Sequence, residues 1–523
     1  MSVRAHAGGA SAQDGAPVVP HRALLTLCVM LSTIMQALDT TIANVALPYM
    51  QGSLSATADQ ITWVLTSYIV AAAIFMPVTG FLAPRFGRKK LLIGSVAGFT
   101  AASVLCGAAQ TLEQMVLFRL LQGVFGAPLV PMSQAILLDS YPKEKHGSAM
   151  AIWGVGVMVG PILGPMLGGW LTEYYNWRWV FYINLPLGIL CVFGLTLFLS
   201  ESKAQQGLRF DWLGFATLGL AVGALQLMLD RGQLLDWFHS REIIVEGVIA
   251  ALCFYLFVVH SLTSDRPFID LRLFADRNFT FGLTLIFLVG MILLAGVALI
   301  TPYLQTLMGY PVLTAGLVLG PRGVGTMVSM TIVGRIIGRI DPRLILLAGF
   351  ALMAVTQEEM AHWTPDVSMP TLLVNGVLQG FGLGLLFTPL STVSFATLPP
   401  DLRTQATSLF SLMRNLGSSI GISIVIFLLE RGAQTAHSDL ARHANVFNRG
   451  LDDPVVGRIW DLGALAGRAA LNAEITRQSA IISYMNDFRL MALVAVVAAP
   501  LVLFLRPPAR QGADPHAAAA ALE

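Results

Sequence analysis

The sequence predicts an all-α polytopic membrane protein of about fourteen transmembrane helices, and three observations carry that reading. Of its 523 residues, 55% are hydrophobic and only 12% are charged, whereas a soluble globular chain carries about 25% charged residues. Apolar runs of about 20 residues, the length that crosses the hydrocarbon core, recur along the chain. The basic residues collect in alternate connections, the asymmetry that membrane insertion imposes.

The elements follow in order. Residues 1–21 are rich in Ala, Gly and Ser and read as a disordered cytoplasmic tail. The first apolar run, near 23–48, is longer than a signal-peptide core and reads as an anchored helix. Runs near 60–82, 91–110, 114–137, 148–171 and 178–200 complete an N-terminal bundle of six over 22–200. Two more, near 212–230 and 242–263, form an inserted pair within 201–263. The last six lie near 280–306, 314–337, 343–361, 369–395, 404–430 and 486–506, in a C-terminal bundle over 264–510. A polar segment, 431–485, interrupts that bundle, and 511–523 reads as a second disordered cytoplasmic tail.

Charge sorts the connections. Arg85, Arg88, Lys89 and Lys90, then Lys143 and Lys145, Lys203 and Arg209, Arg266, Arg272 and Arg277, Arg335, Arg339 and Arg343, and Arg403 mark one side. Arg178, Arg231 and Arg241 are the few positives on the other. The positive-inside rule puts the first set and both termini in the cytoplasm, and the aromatic cluster Trp177, Trp179, Phe181 and Tyr182 at the outer interface. A net charge of +2 gives no bias toward nucleic acid. Cys28, Cys106, Cys191 and Cys253 lie in or beside apolar spans without metal-ligand spacing, so neither a disulfide framework nor a metal site is expected. No phosphate-binding GxxxxGK[ST] loop or HExxH pair is present, which removes the sequence basis for an ATP-driven pump or a metalloprotease of that type.

The fifth run reads GVGVMVGPILGPMLGGWL, with Gly156, Gly160, Gly164 and Gly168 four apart and prolines at Pro161 and Pro165. Residues four apart share a helix face, so the glycines form a flat stripe on which another helix can lie close. Each proline removes a hydrogen bond, and in lipid the freed carbonyl must be satisfied by a neighbour or water. Such a helix belongs at a packed or water-lined seam. The alternative is a packing face with no part in movement. Gly/Arg-rich turns after the second run (GFLAPRFGRKK) and the tenth (GRIIGRIDPR) echo each other, which two six-helix repeats would explain.

Together these stretches resemble the major facilitator superfamily. LDTTIANVALP in the first run, GFLAPRFGRKK, RLLQGVFGAPLVP in the fourth, the Gly/Pro ladder and NWRWVFYINLP entering the sixth resemble its fourteen-span drug:proton antiporters, the EmrB and QacA branch. The resemblance implies a major facilitator fold, two six-helix bundles plus two extra helices, that alternately opens a central cavity to either side of a bacterial inner membrane. It implies export of amphipathic drugs or toxic small molecules driven by the proton gradient, with no bound cofactor and no enzymatic step. Gly80, Arg85, Gly87 and Arg88 match its cytoplasmic gating turn, while Pro84 stands where that turn usually holds an acid. A metabolite carrier on the same fold is the nearest alternative, and a membrane enzyme a distant one.

Depth picks out the coupling residues. Asp39 lies about 24 Å along the first helix from the cytoplasmic side, and Arg119 within about 8 Å of the outer boundary on the fourth, a comparable level. A charge in the bilayer costs at least about 2.5 kcal/mol unless paired or wetted. The expectation is that Asp39 takes and releases a proton, with Arg119 and Gln122 shaping its surroundings; a permanent ion pair is the alternative. Arg322 and Arg414 lie about 14 and 15 Å into their helices, near the midplane where such carriers hold cargo. With Gln305, Asn375, Gln379 and Asn415 they suggest a central cavity that favours amphipathic anions, unless these arginines merely satisfy backbone carbonyls. The segment 431–485 has helical apolar spacing in IWDLGALAGRAALNAEI. It reads as a docking surface, by resemblance for a periplasmic adaptor and an outer-membrane channel, or as a lid on the outer mouth.

Overall fold

Six of the described helices begin at a side-chain cap, on Thr57, Thr111, Asp211, Asp276, Asp341 and Ser368. A computed structural model describes residues 21–202, 205, 207, 209–444 and 459–506. The terminal tails, apart from His21, and 445–458 of the polar segment lie outside the described residues. All regular structure among the described residues is helical.

The first half contains α1 (Arg22–Ser53), then a broken second span of α2 (Ala58–Ile61), α3 (Trp63–Phe75) and α4 (Thr79–Phe86). Thr57 and Gln60 close a capping box on α2. The sequence predicts one straight run over 60–82, but Asp59–Phe75 and Thr79–Phe86 meet at 59°. Pro77 sits at the break, where its missing N–H cannot continue the ladder. Gly87, at φ 86°, ends α4 and starts α5 (Arg88–Ala108), a left-handed corner that favours glycine. The fourth span is also interrupted, as α6 (Leu112–Gly126) and α7 (Leu129–Ser140) on either side of Pro128. Next come α8 (His146–Tyr174), the short α9 (Trp179–Tyr182) and α10 (Asn184–Phe198).

The inserted pair is α11 (Trp212–Arg231), capped by Asp211, and α12 (Arg241–Thr263). α11 bridges the halves: Asp230 accepts from Thr66 of α3, and Gln226 donates to Ser419 at 2.8 Å. The second half follows as α13 (Arg272–Ala275), α14 (Arg277–Pro302), α15 (Val312–Ile336), α16 (Pro342–Met360), α17 (Met369–Ala396), α18 (Arg403–His443) and α19 (Leu465–Ala498).

Twelve described helices are long and apolar enough to cross a membrane, or thirteen with the bent pair. α16, which covers the predicted span 343–361, packs against α17 and α19, but Arg343, Glu358 and Glu359 charge its ends. The largest departure from the predicted boundaries lies outside the apolar runs. α18 continues past 430 to His443 and α19 begins at Leu465 rather than 486, so much of the polar segment is helical. Ser483 donates to the Leu429 carbonyl at 2.7 Å, and His437 lies 3.2 Å from Asn472, so the two extensions run side by side.

The halves meet along the end that carries the Gly/Arg-rich turn around Gly87. Gly147 packs on Ile337, Gly154 on Met330 and Gly323 on Ile162, which brings α8 along α15. Trp153 stacks on Phe387 with ring centroids 5.7 Å apart.

Candidate functional site

The depth argument brings Asp39 and Arg119 to one level, and the structure joins them. Arg119 Nη1 on α6 donates to Asp39 Oδ2 on α1 at 2.7 Å, and both side chains are buried. Gln122, one turn further along α6, donates through Nε2 to Asp39 Oδ1 at 2.8 Å. All three residues expected to form the coupling site therefore meet.

The rest of the shell fixes Arg119. Its Nε donates to the Val64 carbonyl of α3 at 2.9 Å and its Nη1 to Gln122 Oε1 at 2.7 Å. The guanidinium lies over the Tyr68 ring, 4.4 Å from its centroid, and 5.7 Å from that of Phe181. A cation held by a carboxylate, a carbonyl, an amide and ring faces is stable in a place where water does not reach it.

One member of the site was not singled out from the sequence. Asn184 Nδ2, in the first turn of α10, donates to Asp39 Oδ1 at 2.9 Å and to Ser103 Oγ at 2.9 Å. Its Oδ1 is buried without a partner among the described residues. The signal was an amide inside the aromatic run NWRWVFYINLP, where an uncharged side chain carries no obvious insertion penalty.

Ionised Asp39 thus accepts from Arg119, Gln122 and Asn184, donors that belong to two other helices. A proton placed on Asp39 would put an O–H where one of these donors points, and that donor would have to rotate or use the oxygen's remaining lone pair. A turn of the Asn184 amide would present its unpartnered Oδ1 to such a proton.

On another face, α1 meets the Gly/Pro ladder of α8. A Cβ on Gly160 would lie 2.5 Å from the Ala37 carbonyl carbon, and one on Gly168 2.9 Å from Ile42 Cγ1. Gly156 faces Met30, and Gly164 faces Thr41. Thr41 Oγ1 also donates to the Gly160 carbonyl at 3.1 Å, the residue before Pro161. Gly160 and Gly164 let the backbones of α1 and α8 approach closely, beside the turns disturbed by Pro161 and Pro165.

At the gating turn, Arg88 pairs with Asp139 of α7, and Arg403 from the second half donates to the same carboxylate at 2.6 Å. Gly80 packs against Gln405, whose Cα would be 3.0 Å from an added Cβ. The Arg85 guanidinium lies 6.0 Å from the Phe81 ring centroid and 5.8 Å from that of Phe86. Pro84 contributes its carbonyl to the Gln205 N–H at 2.8 Å.

The four residues expected to line a central cavity occupy two places. Arg322 Nη2 donates to the Leu293 carbonyl at 3.2 Å, and Gln379 Nε2 donates to Gln357 Oε1 at 3.0 Å, both inside the second half. Arg414 instead lies 5.9 Å from the Phe387 ring centroid, beside the seam marked by Trp153, and Asn415 next to it is half-buried. The following glycines pack against the backbone of α14: Gly417 against Phe287, and Gly421 against Met291.

Comparison with known proteins agrees with this architecture. The model of the family described as Major Facilitator Superfamily matches residues 29–422. The chain is 37% identical over 500 residues to "Multidrug export protein EmrB" of Escherichia coli (strain K12), covering 95% of this chain and 96% of that one. It is 37% identical to "Fatty acid resistance protein FarB" of Neisseria gonorrhoeae, covering 94% and 98%. Among solved structures, the proton:xylose symporter XylE aligns with a TM-score of 0.59 at 13% identity, covering 92% of this chain and 95% of that one. The human organic anion transporter MFSD10 aligns with a TM-score of 0.57 at 15% identity, covering 91% and 100%.

Proposed function

The chain belongs to the major facilitator superfamily, and on that premise we propose that it exports amphipathic drugs or toxic small molecules by proton-coupled antiport. Its 37% identity to the Escherichia coli multidrug export protein over most of both chains supports the drug-efflux assignment. The observation that carries the coupling mechanism is the buried Asp39 carboxylate, held by donors from α6 and α10.

The cycle follows from that geometry. With Asp39 ionised, three hydrogen bonds fasten α1 to α6 and α10; with Asp39 protonated, they loosen. The motion passes to α8 through the glycine face and from α8 to α15 across the seam between halves. The contacts at Asp139, Gly147 and Gly154 support a state closed on the cytoplasmic side. A proton entering from outside and leaving to the cytoplasm would then drive cargo the other way.

Supporting elements complete the reading. α16 counted as a further crossing gives fourteen spans, with both termini in the cytoplasm of a bacterial cell and the carrier in its inner membrane. We assign residues 22–200 and 264–510 as the two moving bundles, and 201–263 as the inserted pair. The helical extensions within 431–485 are a docking surface for a periplasmic adaptor leading to an outer-membrane channel. The test of export is tolerance: a pump-deficient host carrying the gene should survive a panel of amphipathic toxicants better than one carrying Asp39→Asn.

A further inference from the structure

The two halves carry matched positions. The same length of chain separates Asp39 from Gly296 as separates Gln122 from Gln379, and the members of each pair occupy corresponding spans of their halves. In the N-terminal half the position on the first span is a carboxylate bonded to Arg119 and Gln122. In the C-terminal half it is a glycine.

Around that glycine the hydrogen-bonding groups point one way. Gln379 donates to Gln357 Oε1 at 3.0 Å, so the remaining Gln357 amide group is a donor. Gln357 Nε2 has no partner among the described residues, and neither do Nε and Nη1 of Arg322. A Cβ on Gly296 would lie 3.6 Å from Gln357 Nε2 and 4.0 Å from Arg322 Nη1, so both donors border the position that Asp39 occupies in the other half. Arg322 is 8% exposed and Gln357 0%, which removes bulk water as their partner.

We propose that Arg322 and Gln357, beside Gly296, bind the compact anionic head of an amphipathic cargo, above all a carboxylate. The proposal rests on the export reading and names its cargo class. Arg322 Nη1 beside Gly296 is a charged donor, which strengthens its bond to a carboxylate oxygen. The neighbouring Gln357 amide supplies a second donor for the other oxygen. The cargo thus supplies in one half the charge that Asp39 supplies in the other. A free halide offers the same compact-anion chemistry, so the test separates the two sources.

The full-length protein in detergent is titrated with dodecanoate and dodecanol, and chloride binding is read by dialysis against radioactive chloride. Gly296→Ala adds a methyl at ordinary contact distance and is expected to fold normally; Gly296→Asp ties a carboxylate beside both donors. The wild type should bind dodecanoate at least about tenfold more tightly than dodecanol. Gly296→Asp should abolish that preference, Gly296→Ala should weaken it, and dodecanol affinity should hold within about twofold. Loss of chloride binding with dodecanoate preference intact would keep the anion site but overturn cargo as its occupant. Unchanged binding of both ligands in Gly296→Asp would overturn the proposal. Failure of the wild type to move any amphiphile in vesicles would strike the export reading instead, leaving the binding result in place.

Discussion

Arg403 and Asp139 join the two halves of the molecule: Arg403 Nη1 lies 2.6 Å from Asp139 Oδ1, and Arg88 reaches the same carboxylate. Family resemblance places an acid at the position of Pro84; the carboxylate that Arg88 and Arg403 share in this chain is that of Asp139. Asp139 is 26% exposed and Arg403 8%, so the pair is only partly screened by water. Removing one partner from such a charged network costs about 1–3 kcal/mol. Asp139→Asn should therefore lower the closed-to-open ratio at this end by about 5- to 150-fold. Spin labels at Lys90 and Asp401 would report it as a shift toward longer distances by double electron–electron resonance.

Asn184 shares Oδ1 of Asp39 with Gln122. Asn184→Leu keeps the branched outline of the side chain but removes one of three donors and leaves Ser103 without that partner. Loss of a hydrogen bond to a charged group costs about 1.5–3 kcal/mol. Gradient-driven transport should fall by about tenfold or more while insertion stays normal, measured as initial dye efflux from vesicles with matched protein content. Transport at the wild-type rate would place Asn184 outside the mechanism.

How far the site was legible in the sequence follows from cost. Asp39 and Arg119 stand out because ionised side chains in apolar runs are expensive, and simple rise along each helix placed them at one depth. Asn184 and Gln357 did not stand out, because an amide carries little of that penalty and signals only through its neighbours. The bend after Phe75 hid inside a continuous apolar run, although Pro77 marks it. The helical spacing in IWDLGALAGRAALNAEI falls on the start of α19, but its unbroken run into the last span and the extension of α18 to His443 did not show, because hydropathy registers burial in lipid, and a helix that leaves the membrane loses that signal while keeping its hydrogen bonds.

The glycine face gives a paired comparison on one helix. A Cβ on Gly160 would press on the backbone of Ala37, whereas Gly169 has nothing within 4 Å. Overpacking at a rigid contact costs about 1–3 kcal/mol. Gly160→Ala should lower thermal stability in detergent and slow transport, and Gly169→Ala should change neither. Equal effects would mean that the stripe does not set the α1–α8 spacing.

Asp270, outside the spans, lies against Arg272, whose guanidinium holds its carboxyl below the usual value of 3.8. A carboxylate with a depressed folded value contributes stability at neutral pH and loses it as the pH falls through that value. Asp270→Asn should melt slightly below the wild type at neutral pH, and the difference should vanish as the pH falls through the depressed carboxyl value. A difference that grew with acid would contradict the assignment.

The central claim is that Asp39 carries the coupled proton. The most direct measurement follows proton and cargo movement together in vesicles containing purified protein, with a pH gradient imposed and Asp39→Asn run beside the wild type. The account expects the wild type to move protons inward as cargo leaves, and the variant to insert normally and bind cargo but to lose both proton movement and uphill export. Undiminished proton-coupled export by Asp39→Asn would contradict it, leaving the Asp39–Arg119 contact as a fixed structural pair.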